Sequence, residues 1–324
     1  MLLRLADPEE RYAAVRLCSD LPAREYEREG DEWRLDVDAP VARLEYQLEL
    51  VHPEGGSEWV LDPANPLRAP GAFGEKSELQ LEGYEPPGWL GEEGVPGRYD
   101  EVAPDVRVWA PEDAVADEEL PLLVAHDGPE YDALSRLTHF LAVSIARGTL
   151  PRHRAALLAP GARNDLYSAS ARYADMLVRR LLPAVGEAVA VDGARVAGMG
   201  ASLGGLAMLH AQRRHPRVFG ALFLQSGSFF TPRYDAHEVR FSRYRRVVRF
   251  VREVLVTRTH HDPVPVVLTC GSAEENVHNN RLMATTLARQ GYPTVLHEVP
   301  DMHNYTAWRD AFDPYLPELL ARTW

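Results

Sequence analysis

Residues 194–214 read ARVAGMGASLGGLAMLHAQRR and decide the fold. Residues 194–199 form a short, mostly apolar run typical of a buried strand, and residues 203–214 have the spacing of a helix. Between them lies GASLG, a G-x-S-x-G pattern centred on Ser202. A strand-to-helix turn this tight needs small neighbours, and it presents the serine hydroxyl at the helix N-terminus. We therefore expect Ser202 to be a nucleophile, the alternative being a glycine-rich turn that packs a helix on a sheet.

The sequence around this turn alternates between apolar runs and helical patterns from about residue 104 onward. Apolar runs without strict alternation are typical of strands buried on both faces of a parallel sheet. The expected strands are 120–125, 155–159, 194–199, 221–224, 264–269 and 294–299, and the expected helices are 171–185, 203–214, 244–254 and 280–290. Together with the serine turn, they predict an α/β-hydrolase domain with a mostly parallel sheet over residues 101–324.

The first 100 residues have a different hydrophobic pattern. Trp33, Leu35 and Val37 alternate with polar residues, and residues 44–50 repeat that period of two. This pattern is typical of strands with one buried face. Residues 62–74 and 85–97 are too rich in proline and glycine for a regular element. We predict an N-terminal β-sandwich domain over residues 1–100, with no catalytic set of its own.

Composition and charge exclude several classes of partner. The 48 acidic and 35 basic residues give a net charge of -13, which disfavours nucleic acid and an anionic membrane as partners. We find no signal peptide and no apolar run long enough to span a bilayer, so a cytoplasmic location is expected. The two cysteines, Cys18 and Cys270, lie far apart and are expected to be reduced and partly buried. Since no metal-ligand spacing or phosphate-binding loop is present, we expect no metal and no cofactor.

A serine nucleophile needs a base, and the chain order of α/β-hydrolases is serine, acid, histidine. Among the late histidines, His297 lies inside an expected strand, His261 precedes one, and His278 comes one strand too early. His303 follows the final expected strand, in PDMHNY, and is therefore the predicted base.

The predicted acid is Glu274. It lies in CGSAEEN, the segment that follows the strand expected over residues 264–269, between the serine and the histidine in the chain. Glu275 is the second choice and Asp301 the third.

Two backbone N–H groups are expected to form the oxyanion hole. One is that of Leu203, directly after the nucleophile. The other comes from the loop HDGPEY after the first core strand, where proline has no N–H and the donor must be Gly128 or Glu130. His126 and Asp127 precede the serine in the chain, which is the wrong order for the triad, so we expect them to be structural.

Several further motifs match one family in register. These are WVLDPANPLRAPGAFGEKS from residue 59, the strand and DG ending at Gly128, RNDLY from Arg163, GMGASLGG from residue 198, QSGSF from residue 225, GSAE from residue 271 and HNYTAWR from His303. Over nearly all of its length the chain resembles the enterochelin esterase-like branch of the esterase D family. Its RNDLY departs from the family's R-N-E-x-Y block by an aspartate in place of glutamate.

That resemblance implies an immunoglobulin-like N-terminal domain that shapes the pocket, and a triad of Ser202, Glu274 and His303. It also implies hydrolysis of a carboxylic ester through an acyl-enzyme, with a siderophore or another aryl or polyketide ester as substrate. Arg163 and Glu130 are candidate substrate contacts, and pairing with a nearby carboxylate is the alternative for Arg163. The chain has a single lysine, Lys76, so a pocket for an anionic ester must use arginines.

Two other functions stay open. An acyltransferase would use the same triad with an acceptor that outcompetes water, and a non-catalytic glycan-binding relative would have a missing or misplaced triad member. The expected partner is a small-molecule ester, and the sequence leaves a homodimer open.

Overall fold

The protein, described here by a computed structural model that covers residues 1–324, packs as two compact units. The first unit comprises Met1–Glu85, Gly271–Glu274 and Pro300–Ala307, and the second comprises Pro86–Cys270, Glu275–Val299 and Trp308–Trp324. Two short segments from late in the chain therefore belong to the unit that the N-terminal residues form.

The first unit contains nine strands. They are β1 (Leu2–Ala6), β2 (Ala14–Cys18), β3 (Arg24–Glu25), β4 (Glu27–Glu29), β5 (Glu32–Asp36), β6 (Arg43–Val51), β7 (Ser57–Val60), β8 (Arg68–Ala69) and β9 (Lys76–Gln80). One antiparallel sheet has the order β1-β5-β4, and the other has the order β3-β2-β6-β9-β8 with β7 paired to β6. Two such sheets make a β-sandwich.

Alternation along the strands creates the core of this unit. In β1 and β5 every second side chain is buried, as the sequence predicted for Trp33 and Leu35. Their buried faces pack in one cluster with Leu44, Tyr46 and Leu48 of β6. Cys18 is a free, half-buried thiol, as expected.

The second unit is built on an eight-stranded sheet. Its strands are β10 (Gly97–Ala103), β11 (Val106–Pro111), β12 (Leu120–His126), β13 (Arg154–Leu158), β14 (Val191–Ala201), β15 (Ala221–Gln225), β16 (Val266–Gly271) and β17 (Thr294–Val299). The strand order is β10-β11-β13-β12-β14-β15-β16-β17. The five strands from β13 to β16 in this order run parallel, whereas β11 is antiparallel to both of its neighbours, β10 and β13. Every residue of β12, β13, β15 and β16 is buried, which is why their sequences lack alternation.

Ten helices accompany this sheet. They are α1 (Gly128–Ser135), α2 (Leu137–Ala146), α3 (Arg163–Leu166), α4 (Ala171–Met176), α5 (Leu182–Ala188), α6 (Leu203–Arg214), α7 (Tyr244–Val256), α8 (Val277–Arg289), α9 (Tyr305–Asp310) and α10 (Tyr315–Leu320). Short 3-10 turns lie at Gly88–Gly91 and Ala236–Arg240. None of these helices combines the length and the apolar character that crossing a lipid bilayer requires.

The helix predicted over residues 171–185 differs in one respect. A π-helical turn, Leu177–Leu181, joins α4 to α5. Pro183, the second residue of α5, has no N–H to donate, and its ring crowds the carbonyl of Arg179. The helical hydrogen bonds therefore widen to the π pattern here.

The division between the units also differs from the boundary expected at residue 100. The chain passes from one unit to the other at Glu85–Pro86. β10, which spans residue 100, pairs with β11 and is an edge strand of the large sheet. The proline- and glycine-rich segment that precedes β10 concealed this strand in the sequence.

Candidate active site

Ser202 connects β14 to α6 with strained backbone angles, φ 54° and ψ -123°. A non-glycine residue at positive φ costs on the order of 1–3 kcal/mol and persists only where its surroundings hold it. Here the Ser202 N–H donates to the Gln225 carbonyl at 2.9 Å, and the Ser202 carbonyl accepts from the Ser228 N–H at 3.1 Å. The strand-to-helix turn that GASLG predicted is therefore present, with Ser202 at its centre.

Gly200 shows why this turn needs a small residue before the serine. A Cβ atom at Gly200 would lie 2.6 Å from the Gly204 carbonyl carbon, inside any permitted contact. Since the obstructing atoms belong to the backbone of α6, no side-chain rotation could relieve the overlap. The helix can begin directly after the serine only because position 200 is glycine.

The hydroxyl of Ser202 has one partner within the second unit. Its Oγ lies 3.0 Å from the Ser228 Oγ. Sequence reasoning missed Ser228, and its only signal was a place in QSGSF just after β15. Leu203 is the first residue of α6, where the N–H groups have no acceptor within the helix. Its N–H is thus in the position expected of an oxyanion donor.

The loop after β12 is fixed against the start of α6. The His126 Nδ1–H donates to the Gly204 carbonyl at 2.9 Å, and full burial lowers the pKa of His126 to about 4. Gly128 begins α1, and a Cβ atom there would lie 2.4 Å from the Leu157 Cα. This close approach to β13 requires glycine, and it sets the position of the Gly128 N–H.

The two predicted substrate contacts lie beside this loop. Arg163, at the start of α3, donates to the buried Asp127 carboxylate through Nε at 2.8 Å and Nη2 at 2.7 Å. This is the pairing that the sequence left open as the alternative for Arg163. Glu130 lies in α1, and its Oε2 is buried without a hydrogen-bond partner. Substrate contact by either residue stays a prediction.

Glu274 and His303 are brought together in the first unit. Glu274 lies in the segment after β16 and His303 in the segment after β17. The His303 Nδ1–H donates to the Glu274 Oε2 at 2.6 Å, and the Gly271 N–H donates to the Glu274 Oε1. The Glu274 side chain is 1% exposed and that of His303 is 30% exposed. Because Nδ1 carries the proton toward the carboxylate, Nε2 is left as the basic nitrogen.

The other candidate acids have different partners. The Glu275 carboxylate lies 2.9 Å from the His237 Nε2, and the Asp301 carboxylate accepts from Arg43 at 3.1 Å. Adjacent glutamates thus contact different histidines. Of the rejected histidines, His297 lies in β17, as expected, and stacks on Tyr315, and His261 is exposed and precedes β16.

One cluster has the composition of a metal site. Potential ligand atoms of His237, Glu238 and Glu275 lie within 4.8 Å of one another. Two of the three residues are exposed. Glu275 was the second choice for the triad acid, and His237 and Glu238 were not predicted to have a role.

Comparisons with known proteins identify a family and several solved structures that this chain resembles. Residues 101–319 match the family model Esterase, described as "Putative esterase". A search of curated proteins gave no significant match. Among solved structures, the enterobactin esterase from Shigella flexneri in the presence of 2,3-di-hydroxy-N-benzoyl-glycine superposes with a TM-score of 0.77 at 20% identity, covering 100% of this chain and 93% of that one.

Two further structures are similar. The ferric enterobactin esterase from Salmonella typhimurium has a TM-score of 0.74 at 19% identity, with 99% of this chain and 93% of that chain covered. A ferulic acid esterase has a TM-score of 0.56 at 17% identity and covers 68% of this chain and 92% of its own. These likenesses confirm the predicted fold class. The chain belongs to the esterase family and is a carboxylic-ester hydrolase that carries an N-terminal β-sandwich.

Proposed function

We propose that this protein hydrolyses its ester through a triad of Ser202, His303 and Glu274. The observation that carries the proposal is the strained backbone of Ser202 between β14 and α6, in a chain of the esterase family. A turn of this kind presents the serine hydroxyl at the N-terminus of the following helix, which supports the role of Ser202 as the nucleophile.

The chemistry follows from the protonation of His303. Its Nε2 takes the Ser202 proton as Oγ attacks the ester carbonyl carbon, and the Glu274 carboxylate stabilises the imidazolium that forms. The imidazolium then gives the proton to the leaving alkoxide, which departs as the alcohol and leaves an acyl-enzyme on Ser202. Water, deprotonated by the same nitrogen, attacks the acyl carbon. The bond from that carbon to the Ser202 Oγ breaks, the imidazolium returns its proton to Oγ, and the acid is released.

The negative charge on the carbonyl oxygen needs fixed donors during both attacks. We assign the Leu203 N–H, at the start of α6, as the first donor. The second is the N–H of Gly128 or Glu130 in α1, whose loop the His126–Gly204 hydrogen bond holds against α6. Each such donor is typically worth about 2.7–4 kcal/mol of transition-state stabilisation.

We further propose an aryl ester as substrate, with a catecholate siderophore triester as the first candidate. Two enterobactin esterases resemble this chain over its full length, including the N-terminal sandwich, and a ferulic acid esterase resembles part of it. Turnover of a tris-catecholate triester and of methyl ferulate, compared with that of methyl acetate, which has neither an aryl group nor an activated leaving group, tests the class. A kcat/KM for methyl acetate above those of both aryl substrates would reject it.

A fluorophosphonate probe tests the nucleophile directly. Mass spectrometry of the labelled protein should place the adduct on Ser202, and both label and turnover should vanish in Ser202→Ala. Ser228→Ala is the matched control. The Ser228 hydroxyl lies 3.0 Å from that of Ser202, but the probe should not label it. An adduct on Ser228, or turnover retained in Ser202→Ala, would contradict the assignment.

No contact in the structure favours an acyltransferase over a hydrolase. Product analysis with added alcohols and amines separates the two, because a transferase accumulates the acylated acceptor and a hydrolase accumulates the free acid. The cytoplasmic location and the homodimer stay predictions, which fractionation and sedimentation test.

A further inference from the structure

The segment that carries His303 is built into the N-terminal β-sandwich. The Ala42 N–H, just before β6, donates to the Pro300 carbonyl at 2.7 Å. Met302 is 4% exposed and packs in the same hydrophobic core as Tyr46 and Leu48. The residues on the N-terminal side of His303 are therefore held by the sandwich.

Arg43 is the side chain that holds this segment most extensively. It is the first residue of β6 and is fully buried. Its Nε donates to the Asp301 Oδ2 at 3.1 Å, and its Nη2 donates to the Asp301 Oδ1 at 3.2 Å and to the Asn304 Oδ1 at 2.6 Å. Arg43 thus contacts residues on both sides of His303.

Asp301 and Asn304 also accept hydrogen bonds from backbone N–H groups of the same loop. The Asp301 Oδ1 also accepts from the Met302 N–H at 2.7 Å, and the Asn304 Oδ1 accepts from the Ala307 N–H at 2.8 Å. The Asn304 Nδ2 donates to the Asp301 Oδ1 at 3.2 Å. One hydrogen-bonded network that includes Arg43 therefore closes the loop on either side of His303.

The remaining guanidinium nitrogen fixes Arg43 itself. Its Nη1 donates to Glu45 at 3.0 Å and lies 3.5 Å from Glu78. Because the planar guanidinium addresses three carboxylates and an amide in fixed directions, a lysine could keep the charge but not this geometry.

From this network we infer that Arg43 is a positioning residue for catalysis, which orients His303 by holding Asp301 and Asn304. The inference rests on the proposed role of His303 as the base. The N-terminal sandwich then contributes to the reaction itself, because it sets the geometry of the base and of its hydrogen bond to Glu274.

The test compares Arg43→Lys with Arg154→Lys. Arg154 is equally buried and donates to the carbonyls of Glu118, Ala190 and Val115, but none of these residues touches the His303 segment. Both variants lose a buried guanidinium while keeping the charge. A loss caused by general destabilisation should therefore affect both.

We expect kcat on p-nitrophenyl acetate to fall about 10- to 100-fold in Arg43→Lys, the size that a misplaced catalytic group produces. KM should stay within about threefold. The acidic limb of the kcat/KM profile should move to lower pH, because a loosened bond to Glu274 stabilises the imidazolium less. Arg154→Lys should change the melting temperature and leave kcat and this limb unchanged. Asp301→Asn, which leaves Arg43 in place, should reproduce the Arg43→Lys shift and serves where that variant does not fold.

The experiment distinguishes failure of the proposed function from failure of the proposed role of Arg43. Turnover retained in His303→Ala would remove the base and with it the proposed function. An inactive His303→Ala beside folded Arg43→Lys and Asp301→Asn variants with wild-type kcat and pH profile would overturn the role of Arg43 alone.

Discussion

Replacing Glu274 by glutamine should disable the base without disturbing the fold. The carboxylate accepts hydrogen bonds from the Gly271 N–H at Oε1 and from the His303 Nδ1–H at Oε2. An amide has only one oxygen. Since the Gly271 N–H is a fixed backbone donor, the amide oxygen should turn toward it and the NH₂ group toward His303. The imidazole then accepts at Nδ1 and carries its proton on Nε2, which is the wrong tautomer for a base.

The magnitude follows from the lost charge and the lost tautomer. An imidazolium and a carboxylate whose nearest atoms lie 2.6 Å apart have charge centres separated by about 4 Å, which at an effective dielectric constant of about 20 gives about 4 kcal/mol. That corresponds to about 10³-fold in rate. The wrong tautomer of a triad histidine is associated with about 10⁴-fold in serine proteases. We therefore expect kcat to fall about 10³- to 10⁴-fold.

The assay is steady-state hydrolysis of p-nitrophenyl acetate, with the rate of fluorophosphonate labelling as a second readout and thermal unfolding as the check on folding. Glu275→Gln is the matched control, because its carboxylate is adjacent in sequence but contacts His237. A folded Glu274→Gln variant whose kcat stays within about threefold of wild type would refute the reasoning. A larger loss of kcat in Glu275→Gln than in Glu274→Gln would do the same.

Three further predictions concern the strand-to-helix turn at Ser202 and the buried histidines. Gly200→Ala should destabilise the protein by more than about 1–3 kcal/mol in urea unfolding, because its Cβ would overlap the α6 backbone, whereas Gly193→Ala in the same strand meets no atom within 4 Å and should be tolerated. Equal losses of unfolding free energy in Gly200→Ala and Gly193→Ala would contradict this explanation. Ser202→Gly should abolish turnover and raise the unfolding free energy by up to about 1–3 kcal/mol, because glycine relieves the positive φ; a destabilised variant would argue against strain. The unfolding free energy should fall as pH is lowered from about 6.5 to 4, because unfolded histidines bind protons there and His126 and His153, with pKa values lowered to about 4 by burial, do not. His153→Gln should flatten that slope, and an unchanged slope would contradict the assignment.

Local patterns were sufficient for the elements that carry the proposed chemistry. The apolar runs of β12, β15 and β16 appear in the sequence because both faces of those strands are buried. The GASLG turn appears because position 200 has no room for a side chain. Chain order then singled out His303 among the late histidines. β10 was missed, since a proline- and glycine-rich lead conceals an edge strand.

By itself, then, the sequence determined the fold class, the nucleophile turn and the order of the candidate triad, because these depend on local spacing and on which residues can be buried. Tertiary structure decided which of two adjacent glutamates meets His303 and which meets His237, because successive side chains of a loop project in different directions. It also brought Arg43 into contact with Asp301, which lies 258 residues later in the chain. A contact over that separation leaves no local pattern, so only the folded chain shows that the N-terminal sandwich holds the segment carrying His303.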